Sequence, residues 1–364
     1  MKILLLADAV SSHTFKWAAA LKERGEDVAV FCLTPPEECD YGKYGIRIHC
    51  PARFGNSIYR TSVIRKTEFL KVLPALKKVL REEVPDILHA HYASSYGLLG
   101  ALSGFHPFLV SVWGYDVFEF PGKSIFTRAI LRFNLKRADR ILSTSHFMAQ
   151  HAGKYTRRRI DVIPFGIDTG IFRKDPEKKH GKALVIGTIK TLEPKYGIDG
   201  LIRAFEILVR KHPDLNLSLM IVGGGSMEGE LRGLTSSLGI GERVTFTGRI
   251  PYPEIPPFFR KLDIYAALSV SDSESFGVAV LEASATELPV VVSDKGGLPE
   301  VVDDGVTGFV VPAEDSERAA EALEKLVLSE DLRNRMGAGG RERVRELYEW
   351  SACVDKMIKI YHEC

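Results

Sequence analysis

Residues 264–312 restrict the fold of this chain more than any other stretch. The apolar run 264–268 has the composition of a strand. A polar loop follows at 269–275, and then a segment of helical composition at 276–288. Pro289 opens a second apolar run, through Val292, which ends in a loop holding Gly296 and Gly297. Strand, loop, helix, strand, loop, helix is the rhythm of a parallel sheet with helical crossovers. In such units the loop at a strand's carboxyl end lies over the N-terminus of the next helix, where unpaired N–H groups favour an anion. Gly277 has no side chain and lets the backbone approach a phosphate closely. Glu274 sits on the loop and Glu282 two turns down the helix. One carboxylate can face the reacting end of a ligand while the other takes hydroxyls further along it.

At 364 residues the chain is long enough for two domains, each with its own core. Hydrophobic residues make up 45% and charged residues 26%, as in ordinary soluble proteins. The opening MKILLLADAV is too short for a membrane span, is interrupted at Asp8 and lacks a small-residue cleavage site, so it reads as a buried first strand. Five scattered cysteines without a C-x-x-C predict reduced thiols and a cytoplasmic setting. Charge is uneven. Residues 1–165 hold 24 lysines and arginines against 15 aspartates and glutamates, and the remainder holds 25 against 32. A basic first half and an acidic second half predict different partners for the two.

The combination Glu274-SFGVAVL-Glu282 with Gly296-Gly297-Leu-Pro-Glu-Val-Val302 resembles the family 4 retaining glycosyltransferases (glycosyl transferases group 1). Their signature is E-x7-E in this setting, followed by a Gly-rich loop and a Pro-Glu-Val-Val run. The resemblance covers nearly the whole chain and is most specific over 183–312. It implies an α/β fold of two facing Rossmann-like domains with parallel sheets, the GT-B arrangement, and a nucleotide sugar in the cleft. It implies an N-terminal acceptor domain at 1–168 and a nucleotide-sugar domain at 169–345. A C-terminal helix at 346–364 would cross back to the first domain.

The first half opens with a strand at 2–8, a small polar loop at 9–14, a helix at 15–23 and a strand at 28–33. The loop is not G-x-G-x-x-G, which disfavours a nicotinamide dinucleotide. By resemblance Ser12 and His13 line the cleft, near the acceptor or the donor phosphates. A helix is expected over 61–83, kinked or divided by Pro74. The strand 85–91 puts His89 and His91 on one face. With no third ligand nearby they do not make a metal site, and His91 is a candidate substrate contact. The strand 108–113 leads into Trp113-Gly-Tyr-Asp116, where the family usually has His-Gly-x-Asp. An indole can stack on a sugar face but cannot move a proton, so Trp113 and Asp116 are assigned to the cleft without acid–base roles. Residues 123–140 read as a basic helix, with Arg128, Arg132 and Lys136 on one stripe. It is either a solvated face or a peripheral contact with anionic lipid. The strand at 141–145 is expected to be the last of this half. A turn at 161–168, with Phe165 where the family has Asn, and a charged linker at 173–182 close it.

The second half restarts at strand 183–187. In the resembling family an Arg and a Lys grip the donor diphosphate; Lys190 takes the Arg position and Lys195 keeps the Lys. Breaking a sugar–diphosphate bond leaves extra negative charge on the diphosphate. Cations aimed at that charge favour the transition state over the ground state. The resemblance also places Gly223 near the phosphates and the backbone of Arg249 and Ile250 against the base. It gives Glu274 to the sugar ring or the developing oxocarbenium ion and Glu282 to the ribose hydroxyls. Backbone N–H groups of Phe276, Gly277 and Val278 would meet the diphosphate. No Asp-x-Asp occurs to hold a divalent ion, so neither a metal nor a resident cofactor is expected beyond the nucleotide-sugar co-substrate. The acceptor would be a sugar, a lipid-linked glycan or a small molecule. A nucleotide-sugar epimerase or glycosyl phosphorylase on the same scaffold, and a non-catalytic sugar-binding protein, fit the same residues. Nucleic acid is not an expected partner, because the positive charge lacks an interleaved aromatic stacking platform.

Overall fold

The computed structural model describes residues 1–36, 40–51, 71–175 and 183–364. These divide into two compact units, 1–164 with 353–364, and 165–352. Residues 61–70 of the helix expected over 61–83, and most of the linker at 173–182, lie outside the described residues.

The first unit is built on a parallel sheet of seven strands: β1 (Lys2–Leu6), β2 (Asp27–Phe31), β3 (Arg47–His49), β4 (Ile87–His91), β5 (Phe108–Val112), β6 (Arg140–Ser143) and β7 (Ile160–Val162). Their order is β3-β2-β1-β4-β5-β6-β7. Central strands such as β4 and β5 are buried throughout, as parallel strands covered by helices on both faces must be. β3 and β7 are additions to the expected set. Each is three residues long and half-buried at the sheet edge, too short to show a period. Pro74 stands in the first turn of Leu73–Glu83, where its missing N–H costs nothing. The closing helix, Trp350–His362, runs from one unit into the other. Within the first unit, the Tyr361 hydroxyl lies 2.7 Å from Nδ1 of His89, and Arg24 pairs with Asp355 at 3.0 Å.

The second unit repeats the plan with β8 (Leu184–Ile189), β9 (Leu217–Val222), β10 (Val244–Phe246), β11 (Ile264–Ala267), β12 (Val290–Ser293) and β13 (Gly308–Val311), in the order β10-β9-β8-β11-β12-β13. Ile186, Leu219, Ile221, Ile264 and Val291 on the sheet pack with Leu201, Phe205 and Leu208 of Ile198–Lys211 and with Leu323 and Leu326 of Ser316–Leu328. In both sheets the first strand in sequence lies beside the fourth. The chain therefore leaves these neighbours in opposite directions and opens a crevice at their carboxyl ends. This is the switch point where doubly wound sheets bind ligands.

Candidate active site

In the second unit the switch point lies between β8 and β11. Lys190 directly follows β8 and Glu274 lies on the loop after β11. Their side chains meet there, with Lys190 Nζ 2.6 Å from Glu274 Oε2. The Ser269 hydroxyl donates to the same oxygen at 3.3 Å. Burial alone would lower the Lys190 pKa, but the Glu274 carboxylate together with Tyr196 and Tyr265 outweighs it and holds the ammonium above its ordinary value. Lys195 comes to the same place through Tyr196. The Lys190 and Lys195 ammonium groups lie 4.4 and 5.1 Å from the centroid of that one ring, within cation–π range. The Val270 N–H donates to the Lys195 carbonyl at 2.9 Å, which ties the loop after β8 to the loop after β11.

The Glu274 loop is held by backbone. The Gly297 N–H donates to the Glu274 carbonyl at 2.7 Å, and the Ser293 hydroxyl donates to the Ser269 carbonyl at 2.6 Å. Gly296 has φ +57°, and a Cβ there would overlap the Glu274 carbonyl oxygen. Gly223 packs as closely on Lys190: a Cβ at Gly223 would overlap the Lys190 carbonyl oxygen, and its N–H donates to Gly248 at 3.0 Å. Arg249 is exposed and Ile250 half-buried just beyond.

The helix expected over 276–288 is shorter, Val278–Ala285. Gly277 has φ +93° and Glu287 φ +62°, which exclude both from a right-handed helix. Phe276 is a core side chain, 1% exposed and packed against Tyr348, so any ligand contact it makes is through its backbone. The first-turn N–H groups at Gly277 and Val278 form the electropositive end of this helix. Glu282 is a little over one turn in, not two, and is buried. The Tyr252 hydroxyl donates to its Oε1 at 2.6 Å. Burial and the Glu282 charge push the Tyr252 phenol above its ordinary pKa, so it stays the donor.

The first unit carries a second cluster at its own switch point, between β1 and β4. Ser12 and His13 are not in a loop but begin the helix Ser12–Glu23, with Ser12 exposed and His13 half-buried. The His13 and Trp113 rings lie 6.2 Å apart, and the His91 and Trp113 rings 4.4 Å apart. His91 Nδ1 is buried without a hydrogen-bond partner among the described residues. Asp116 is a correction: it is buried, not open to a ligand. Its carboxylate accepts from the N–H groups of Ala93 at 2.7 Å, Trp113 at 3.1 Å and Gly114 at 2.9 Å. Asp116 fixes the turn at Trp113, whose side chain is itself largely buried.

Three histidines here are held neutral. Burial and Lys16 lower His13 to about 4, and burial lowers His89 to about 3. Burial, with His89 and His13 nearby, puts His91 well below its ordinary value. In the unfolded chain all three take protons near pH 6.5. Below that pH the unfolded state binds more protons than the folded one, so stability falls as the pH drops towards 4. The urea midpoint is expected to fall between about pH 7 and about pH 5. Each histidine can contribute up to roughly 1.4 kcal/mol per pH unit below 6.5. A midpoint that stays level across this range would contradict the neutral assignment.

Residues 171–343 match the family Glycosyl transferases group 1, and residues 2–145 match Glycosyl transferase 4-like. Over 325 residues the chain is 30% identical to the GDP-mannose-dependent alpha-(1-6)-phosphatidylinositol monomannoside mannosyltransferase of Mycolicibacterium smegmatis, with 82% of each chain aligned. This chain belongs to the group 1 glycosyltransferases. The Mycobacterium tuberculosis H37Rv relative of the same description is 33% identical over 211 residues, 54% of each chain. The match thus spans about half the length of that relative. Among solved structures, Anabaena HepE in complex with UDP shares the fold over 100% of both chains, with a TM-score of 0.84 at 18% identity. Tyr196 and Tyr252, which contact the candidate site residues Lys190, Lys195 and Glu282, are what sequence reasoning missed. Tyr196 lies beside Lys195 in sequence and could have been noticed. Tyr252 is thirty residues from Glu282, and no spacing announces that pair.

Proposed function

We propose that this glycosyltransferase moves a sugar from a nucleotide-diphosphate sugar to a hydroxyl of a sugar, lipid-linked or small-molecule acceptor. Configuration is retained at the anomeric carbon and no metal ion is required. The observation that carries this reading is the Lys190–Glu274 ion pair at the switch point of the second unit, with the Lys190 and Lys195 ammonium groups both against the Tyr196 ring. The bond from the anomeric carbon to the diphosphate oxygen breaks as the acceptor oxygen bonds that carbon from the same face. The acceptor proton passes to the leaving phosphate. Charge therefore builds on the diphosphate, where the two ammonium groups and the N-terminal end of Val278–Ala285 stabilise it. Glu274 holds Lys190 before the donor arrives and faces the sugar as positive charge develops. Glu282, with its carboxylate fixed by Tyr252, takes the ribose hydroxyls, and the Gly223 and Arg249–Ile250 backbone adjoins phosphate and base. In the first unit, Ser12, His13, His91 and Trp113 serve the acceptor or the transferred sugar, Trp113 by stacking. The relatives' descriptions support this donor class: one is GDP-mannose-dependent and HepE holds UDP.

A thermal-shift screen of nucleoside diphosphates and their sugars tests the reading, because a ligand that binds only the folded state raises its stability. One base is expected to raise Tm and the others not, and the matching sugar is expected to be consumed when an acceptor is supplied. Glu282→Ala should raise the donor KM by about 10- to 100-fold with little change in kcat, since a ribose contact is made equally in ground and transition states. Unchanged donor KM would remove Glu282 from the ribose site. Donor binding without turnover or hydrolysis would favour the non-catalytic sugar-binding reading.

A further inference from the structure

The helix Ile125–Arg137 of the first unit has an outer face that the catalytic reading does not use. Its inner face is fixed. Thr127, Leu131, Asn134 and Leu135 are buried, Ser124 and Thr127 form a capping box, and Asn134 donates to the carbonyls of Ala93 at 2.8 Å and Ser94 at 3.1 Å. Its outer face carries large apolar groups in the open: Ile125 is 77% exposed, Phe126 75% and Phe133 41%. Ile125, Ala129 and Phe133 repeat every four residues and form one stripe. Arg128, Arg132 and Lys136 form the stripe beside it, and Arg137 flanks the far side; all four are exposed. The helix has no acidic residue. Exposed Lys123 extends the positive charge past its start, with Nζ 5.0 Å from the Tyr115 ring. Glu119 is the exposed acid just upstream.

We propose that this face seats the protein on an anionic membrane surface. Ile125, Phe126 and Phe133 enter the boundary between headgroups and acyl chains, and the cations on either side meet lipid phosphates. Charge decides against a second copy of the chain as the occupant. A two-fold contact through this face would set its cations against their own duplicates. The proposal stands on the helix alone and is tested without donor or acceptor, so its failure is separate from failure of the transferase reading.

The experiment is co-sedimentation of the full chain with vesicles of phosphatidylcholine alone or mixed with phosphatidylglycerol, at low and high salt. Binding is expected to the mixed vesicles, weakened by salt, and not to the neutral ones. R128Q/R132Q should lower the partition coefficient by about 25-fold, roughly fivefold for each cation near the surface. I125S/F126S should lower it by at least about tenfold. Both variants should keep the parent's Tm and its thermal response to nucleotide sugars. Equal sedimentation with both vesicle types, none with either, or variants that bind as the parent does would overturn the proposal. So would a loss of self-association, rather than of vesicle binding, in I125S/F126S.

Discussion

Lys190→Ala is expected to lower kcat by about 100- to 1000-fold while the donor KM changes little. That is the scale for removing one preorganised electrostatic donor from a transition state. The reason lies in where the charge is needed. Before reaction Lys190 is satisfied by Glu274 at 2.6 Å, so the variant loses little ground-state donor binding. As the sugar–diphosphate bond breaks, the leaving phosphate gains negative charge and the missing ammonium is felt in full. Lys190→Arg should recover much of the loss, because a guanidinium keeps the charge and can span carboxylate and phosphate. The same Glu274 pairing, together with Tyr196 and Tyr265, holds the Lys190 ammonium above its ordinary pKa. No alkaline limb of the rate profile should therefore belong to Lys190. Steady-state kinetics with the donor and acceptor found by screening reads all of this. A Lys190→Ala enzyme within about threefold of the parent in kcat would contradict the role.

Gly296→Ala should be among the most damaging single methyls that can be added to this site. Two costs combine at that position. The backbone has φ +57°, which an alanine adopts at a penalty of about 1–2 kcal/mol. The new Cβ also meets the Glu274 carbonyl, which is backbone and cannot swing aside. Together these should cost about 3 kcal/mol or more, or a fall in Tm of roughly 6–12 °C for a unit of this size. Gly239→Ala separates the two terms. Its φ is +70°, but nothing lies within 4 Å of the added carbon, so only the backbone penalty of about 1–2 kcal/mol should appear. Gly296→Ala should also lose activity beyond its stability loss, because the loop that carries Glu274 must move. Equal Tm values for the two variants would show that the close approach to Glu274 does not exist in solution.

The parallel α/β plan was legible because its strands are buried on both faces and read as plain apolar runs: 2–6 and 108–112 fall within the expected segments, and 290–293 overruns its expected end by one residue. The edge strands β3 and β7 were not. Helix limits failed where a backbone angle sets them. Gly277 and Glu287 truncate the 276–288 segment through positive φ, which composition does not record. The charged site residues were readable as a motif, but their partners were not. That Glu274 holds Lys190, that Tyr252 holds Glu282 and that Asp116 turns inward to backbone amides are consequences of packing between segments distant in sequence. Asp116 shows the limit most plainly. A polar residue in a loop beside a binding motif looks like a ligand contact, and only its burial reveals that it shapes the turn.

The central claim is that the crevice between β8 and β11 holds a diphosphate against two lysines. A crystal structure with the nucleoside diphosphate selected by the thermal screen tests it most directly. The account predicts phosphate oxygens within about 3 Å of both the Lys190 and Lys195 ammonium groups, with the ribose on Glu282. A diphosphate bound elsewhere, with Lys190 still closed on Glu274 and Lys195 turned away, would contradict it.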